Sequence, residues 1–265
     1  MSGCNRTRFG AVAALIASLW ACGTDVGPVA RPELRRLESV RQPAPALDDR
    51  MVSPDARRQE GEFLLRGVRA RTLGLNAMDA NVQCYTQGYY NDGKRGSELR
   101  HTTSEIKMVW SKPTKLRIDM LKTNRAIAEG AQLVTVDGQT FRIRAKGLLG
   151  LIPFSLPASH PGLNSNRNHT ITEEAPLAHL QRLTAAGAQW TVMSSSVISG
   201  TPVTLVEVTN IKHLDADITR EVVGIDPQQM ALRRLIMYAQ NTRVSEHLIT
   251  RVRLNGTVAS STFTL

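Results

Sequence analysis

The sequence predicts an α+β protein built on one large, mostly antiparallel sheet of about eleven strands with few helices. Three observations predict it. From about residue 81 onward, short runs rich in β-branched and aromatic residues alternate with turn residues, the texture of hairpins. Helical periodicity is confined to two stretches, one before these runs and one in mid-chain. The chain has 265 residues, 42% hydrophobic and 21% charged, so it can bury a core without disulfide or metal staples, and wholesale disorder is excluded.

Arg6 and Arg8 precede a mostly apolar segment from Phe9 to Ala21, FGAVAALIASLWA, followed at once by Cys22. Such a segment suits the core of a secretory signal peptide. No apolar run reaches the roughly 18–20 residues that a spanning helix needs. Leu19-Trp20-Ala21-Cys22 resembles the lipobox of bacterial lipoproteins, with Leu three before the cysteine and a small residue one before. Trp20 departs from that pattern, which favours a small or hydroxylated residue there. The resemblance implies that residues 1–21 are removed as a signal peptide and that Cys22 carries the acyl chains of a membrane anchor. Gly23, standing where Asp signals inner-membrane retention, implies the outer membrane, facing the periplasm. The alternative is an ordinary secretory signal with a coincidental cysteine.

Removal of Cys4 with the signal and acylation of Cys22 leave Cys84, in the strand NVQCYTQGYY, which reads as a small buried hydrophobe. Residues 22–52 read as the acylated Cys and a flexible tether, with Pro28, Pro32, Pro43 and Pro45 among Arg31, Arg35, Arg36, Arg41 and Arg50. These arginines lie in solvent or on an anionic surface. Residues 53–265 then form a single domain.

Ser53-Pro54-Asp55 is an N-cap with Pro at the first helical position, and Phe63, Leu64, Val68 and Leu75 give a helix over about 55–77. Its basic side carries Arg57, Arg58, Arg66, Arg69 and Arg71. Five strands follow near 81–90, 100–110, 114–122, 131–137 and 139–146, with turns at Asn91-Asp92-Gly93, Lys112-Pro113 and Asp137-Gly138. In LRIDML, Leu116, Ile118 and Met120 share one face, and Arg117 and Asp119 the other. Residues 147–170 break the pattern with three prolines, yet Leu148, Leu149, Leu151, Ile152, Phe154 and Leu156 are strongly apolar, so this loop is either a lid or a plug for the core. Thr172 then reads as the cap of a helix through Leu183, with Glu173 and Glu174 in its first turn. Six more strands are expected near 189–199, 202–210, 217–226, 230–240, 246–254 and 258–264.

Catalytic motifs are missing. There is no G-x-S-x-G, no H-E-x-x-H, no P-loop and no G-x-G-x-x-G after a strand, so no enzyme and no cofactor are expected. His101, His160, His169, His179, His213 and His247 are scattered without ligand spacing, and no metal site is expected. His213-Leu214-Asp215-Ala216-Asp217 reads as a solvated polar turn rather than a ligand set. The formal charge of +10 favours anionic partners, but no nucleic-acid motif accompanies it.

Four segments carry a resemblance to the LolA/LolB-like lipoprotein-carrier family. They are Ser111-Lys112-Pro113-Thr114-Lys115-Leu116-Arg117-Ile118, Leu133 through Phe141 with its Asp137-Gly138 turn, Ile225-Asp226-Pro227 through Tyr238, and Arg253-Leu254-Asn255-Gly256 through Phe263. The first differs in spacing, because Lys112 directly precedes Pro113. The resemblance covers roughly residues 60–265 and implies a strongly curved sheet, an incomplete barrel whose concave face is covered by helices and holds acyl chains. It implies Met108, Trp110, Leu116, Ile118, Met120 and Phe154 as cavity residues, and lipid or lipoprotein acyl chains as partners. The alternative is an envelope sensor or scaffold that uses the same fold to bind a protein.

Overall fold

The first described element grows from the predicted Ser53-Pro54-Asp55 start. The computed structural model describes residues 53–91, 93–125, 128–150 and 152–265, the side chains of Leu148 and Leu149 excepted. The expected signal peptide, Cys22 and the 22–52 tether lie outside the described residues, as does Leu151. Ser53 caps α1 (Pro54–Leu73), its Oγ accepting from the Ala56 N–H at 3.2 Å, with Asp55 in the first turn. Gly61, Leu64, Leu65 and Val68 form the buried stripe of α1. The helix ends at Leu73, earlier than its apolar spacing predicts, because Leu75 already leads into the first strand.

Eleven strands follow among the described residues: β1 (Ala77–Asn91), β2 (Lys94–Ser111), β3 (Lys115–Thr123), β4 (Gln132–Thr135), β5 (Thr140–Arg144), β6 (Phe154–Pro157), β7 (Gln189–Ile198), β8 (Thr201–Thr209), β9 (Arg220–Asp226), β10 (Ala231–Ala239) and β11 (Thr242–Leu254). A second helix, α2 (Pro176–Leu183), separates β6 from β7. The strands form one open antiparallel sheet in the order β6-β5-β4-β3-β2-β1-β11-β10-β9-β8-β7. It is therefore two consecutive meanders, joined where β1 pairs with β11 from Met78↔Leu254 to Thr86↔Ser245. The expected open α+β sheet with few helices is what the chain forms. No helix among the described residues is long and apolar enough to cross a membrane.

Two elements differ from expectation. Residues 258–264 are not a strand: Ser260–Phe263 forms a 3-10 turn, whose Phe263 packs with Val109 and Val134. Both sides of β2 and β3 are already paired, so this tail has no free ladder to join and lies on the outer face. There Arg117, ion-paired to Asp119 at 2.9 Å, donates to the Thr262 carbonyl at 3.0 Å. Conversely, the proline-broken loop contains β6, which pairs with β5 through Ile143↔Phe154 and Phe141↔Leu156. Pro157 is tolerated because β6 is an edge strand.

The main core lies on one face of the sheet under α1 and α2. Met78, Ala80 and Val82 of β1 and Met108 and Trp110 of β2 join Leu116, Ile118, Phe141, Ile143, Trp190, Val223, Leu235 and Ile249. Phe154 and Leu156 pack against this cluster, and Leu163 is buried in it, so the apolar part of the 147–170 segment plugs the core, although Ile152 is 80% exposed.

The docking of α1 is set by its smallest residue. A Cβ placed on Gly61 would meet the Trp190 carbonyl oxygen at 2.0 Å, so the helix approaches β7 at backbone distance. In an exposed helix interior, Gly to Ala gains about 1 kcal/mol. Here the sign reverses: Gly61→Ala is expected to destabilise by at least about 2 kcal/mol in urea unfolding, by forcing α1 off the sheet.

Candidate functional site

Two features face each other across α2: an apolar crevice and a buried chain of charges. The crevice, about 340 Å³ counting the space open at its mouth, lies between the C-terminal end of α1, the start of α2 and β1, β10 and β11. Leu75, Met78, Leu180, Leu232, Ile249 and Leu254 are among its walls, and Arg71 and Thr72 stand among its lining residues as the polar groups. The register explains its position, since Met78 and Leu254 are direct partners across the β1–β11 ladder.

The six residues expected to line a cavity fall together but away from this crevice. Met108 and Trp110 on β2, and Leu116 and Ile118 on β3, are buried in the main core, and Met120 and Phe154 pack against it half-buried. They share the cluster that the crevice opens into, on the other half of the sheet.

The charged chain was not legible as a unit in the sequence. Arg167 and Asp215 form a two-pronged ion pair, with Nε and Nη2 each 2.7 Å from a carboxylate oxygen. Asp215 Oδ2 lies 2.8 Å from His169 Nε2, and His169 Nδ1 lies 2.8 Å from Glu174 Oε1. Glu174 Oε2 faces His247 Nε2 at 3.1 Å and His179 Nε2 at 3.7 Å. Farther along, Arg182 clasps Glu221 at 2.5 and 2.6 Å, and His213 Nδ1 is 2.7 Å from the same carboxylate. Four of the histidines that read as scattered, His169, His179, His213 and His247, are thus drawn together with Asp215 of the turn, while Asp217 is left well exposed.

Local structure places each member. The loop before α2 docks on β1 at Gly88, where a Cβ would meet the Asn166 carbonyl oxygen at 2.0 Å; Tyr90 N–H donates to that carbonyl at 3.0 Å. Buried Asn166 donates in turn to Thr102 Oγ1 at 3.0 Å. Asn168, at φ 64°, turns the chain to present His169. Glu174 is not the dipole-facing residue expected, because α2 begins only at Pro176, after an Ala175 N-cap that makes no side-chain hydrogen bond. Thr172 is therefore no cap, and Glu173 accepts from the Thr170 N–H and hydroxyl, both at 2.8 Å. His179 occupies the buried stripe Pro176, His179, Leu180, Leu183, a polar residue at a core position of the helix. His247 faces the core from β11, directly opposite Cys84 on one side and Leu235 on the other.

Electrostatics follow from burial and partners. Burial opposes a charge on His169, but its bonds to Asp215 and Glu174 outweigh it and push the ring up to about 9, so it is a cation holding two carboxylates. Burial alone would raise Glu174, yet the three imidazoles around it hold it well below the usual carboxylate range. Burial pulls His179 down to about 4, with Arg182 and His247 adding to the effect against Glu174, so it is neutral at physiological pH. Cys84 is pushed up to about 12, first by burial and then by the charge of Glu174, so it is an inert thiol rather than a nucleophile. The array therefore ties loops and α2 to the sheet, and it contains donors of the kind that hold metal ions.

No protein-family model and no curated protein sequence matches the chain. Among solved structures it is similar to MucB, at 13% identity over 78% of this chain and 63% of that one, TM-score 0.42. It is similar to the Mycobacterium tuberculosis lipoprotein LppX, at 14% identity over 75% of this chain and 98% of that one, TM-score 0.42. A LolA superfamily protein from Nitrosomonas europaea matches at 8% identity over 77% and 97%, TM-score 0.33. The chain thus spans less than two thirds of MucB.

The pair at the far end of the array has a measurable consequence. Glu221 is fully buried, and replacing Arg182 by Met leaves its charge with His213 alone. Arg182→Met is expected to cost about 3–5 kcal/mol in urea unfolding, and adding Glu221→Leu to recover most of it, since an apolar pair carries no desolvation penalty.

Proposed function

We propose that the chain is a non-enzymatic binding protein of the bacterial envelope, which takes up the acyl chain of a lipid or lipoprotein between its helices and its sheet. One observation carries this reading: the apolar core beneath α1 and α2 reaches the surface through a crevice walled by aliphatic side chains, with Arg71 among its lining residues. Each methylene buried there contributes about 0.8 kcal/mol. Arg71 suits the phosphate or carboxylate of a headgroup. A longer chain would be accommodated by outward movement of α1 or α2, with Met108, Trp110, Leu116, Ile118, Met120 and Phe154 as the deeper bed of the same apolar cluster.

In this reading residues 1–21 are the signal peptide and Cys22 bears the anchor. The 22–52 tether then holds the 53–265 domain at the outer membrane, facing the periplasm. The charge left once Arg6 and Arg8 go with the signal, +10 − 2 = +8, and the arginines of α1 favour an anionic membrane surface beside it.

Residues 53–265, exported behind a cleavable signal and purified without detergent, are expected to carry a lipid or acylated peptide in native mass spectrometry. A mass that stays bare after incubation with envelope lipids overturns the reading and moves it to a protein-binding module. Leu254 is partly buried at the crevice wall, so Leu254→Trp should fill the space with little loss of stability. Its affinity for a fluorescent long-chain fatty acid is expected to fall at least about tenfold, equivalent to about 1.4 kcal/mol.

A further inference from the structure

The carboxylate at the centre of the charged chain is only half used. Glu174 Oε1 is taken by His169, whereas buried Oε2 has only the close approach of His247 Nε2 at 3.1 Å and no aligned hydrogen bond, and Nε2 of His179 is likewise buried without one. Leaving such groups unpaired costs about 1–3 kcal/mol each. Both point toward the same small volume as His247 Nε2, and the three donor atoms lie within 4.8 Å of one another. The observed separations of 3.1 and 3.7 Å from Glu174 Oε2 bracket the roughly 3.3–3.4 Å between ligand atoms held about 2.0–2.1 Å from a tetrahedral zinc ion.

We propose that Glu174, His179 and His247 form a binding site for a divalent transition-metal ion of the zinc class, with Glu174 Oε2 and the two imidazole Nε2 atoms as ligands.

The chemistry of the set is specific. Two imidazoles and one carboxylate select zinc-like ions over calcium or magnesium, which prefer oxygen throughout. His169 holds the other oxygen of Glu174 at 2.8 Å, the outer contact that orients a ligating carboxyl group. His169 is itself fixed by Asp215, which Arg167 holds in place, so the support extends through three residues. Metal on His179 Nε2 leaves the ring proton on Nδ1, so the long 3.4 Å approach of Arg182 Nη2 to that atom is given up, while Arg182 stays clasped by Glu221. Three protein ligands leave a fourth position. Cys84, the one cysteine among the described residues, stands opposite His247 on the same face, so water or this sulfur completes the set.

The ion would join the loop before α2, α2 itself and β11. Pro176 and Leu180 of α2 line the apolar crevice, so metal occupancy would pin one wall of it. The site stands on its own donors, and its test needs no lipid.

The untagged full chain, stripped with a chelator and titrated with Zn²⁺, is expected to take up one ion per chain in native mass spectrometry and to unfold at higher temperature, reversibly on adding chelator. Co²⁺ is expected to give visible bands well above those of the aqueous ion, with a thiolate charge-transfer band if Cys84 is the fourth ligand and without it if water is. Glu174→Gln and His247→Gln are each expected to weaken Zn²⁺ binding at least about 100-fold, whereas His101→Gln, on an exposed strand position, leaves it unchanged. Zn²⁺ affinity that survives both ligand substitutions in variants with native far-ultraviolet circular dichroism overturns the proposal. If those variants do not fold, the wild-type chain decides: a Co²⁺ spectrum no stronger than the aqueous ion overturns it equally.

Discussion

The pairing of β1 with β11 is the contact on which the rest of this structure depends, because it converts two local meanders into one sheet. Hairpins from β1 to β6 and from β7 to β11 need only short-range turns. Joining Met78 to Leu254 and Cys84 to His247 closes nearly the whole length of the domain. That closure is costly in chain entropy and tends to be slow. What it returns is a continuous apolar face broad enough for α1 and α2 to cover. It also sets the two candidate sites by register alone: Leu254 beside Met78 makes the crevice wall, and His247 opposite Cys84 lies beneath Glu174.

Covering that face is achieved by two different physical means. Over β7 the cover is α1, seated by the bare backbone of Gly61 against Trp190. Near β11 and β9, the cover is made of polar loops and the short helix α2, and there ion pairs do what apolar packing does elsewhere. Buried pairs repay their desolvation only with good geometry and full partnering. Arg167 with Asp215 and Arg182 with Glu221 meet that condition through two-pronged contacts. Glu174 and His179 do not, and this is why their unpaired atoms carry information.

Helix α2 connects the two halves. Its buried stripe presents Pro176 and Leu180 to the apolar crevice, while His179 on the same stripe reaches into the charged array. Any outward movement of α2 would disturb His179 and Arg182 together, because both sit on that helix. Cys84 packs half-buried against the core, as its strand setting suggests.

The sequence by itself determined what is local. The Ser53-Pro54 cap, the alternation of Leu116, Ile118 and Met120 against Arg117 and Asp119, and the Asp137-Gly138 turn all specify their conformation within a few residues. The open sheet with few helices was therefore readable. The tail at 258–264 departs from its expected strand because β-like composition says nothing about whether a ladder edge is free, and β6 forms despite Pro157 because edge strands accept proline. The site was harder still. Its one local signal was His179 on an apolar helical stripe, since His169 and Glu174 come from the loop before α2, Asp215 from the loop before β9 and His247 from β11. Only the β1–β11 closure, and the docking of the pre-α2 loop at Gly88, bring them within bonding distance. Hydrogen-bond and ligand geometry depend on three-dimensional separation, and a one-dimensional pattern encodes that only for residues within the same helix, strand or turn.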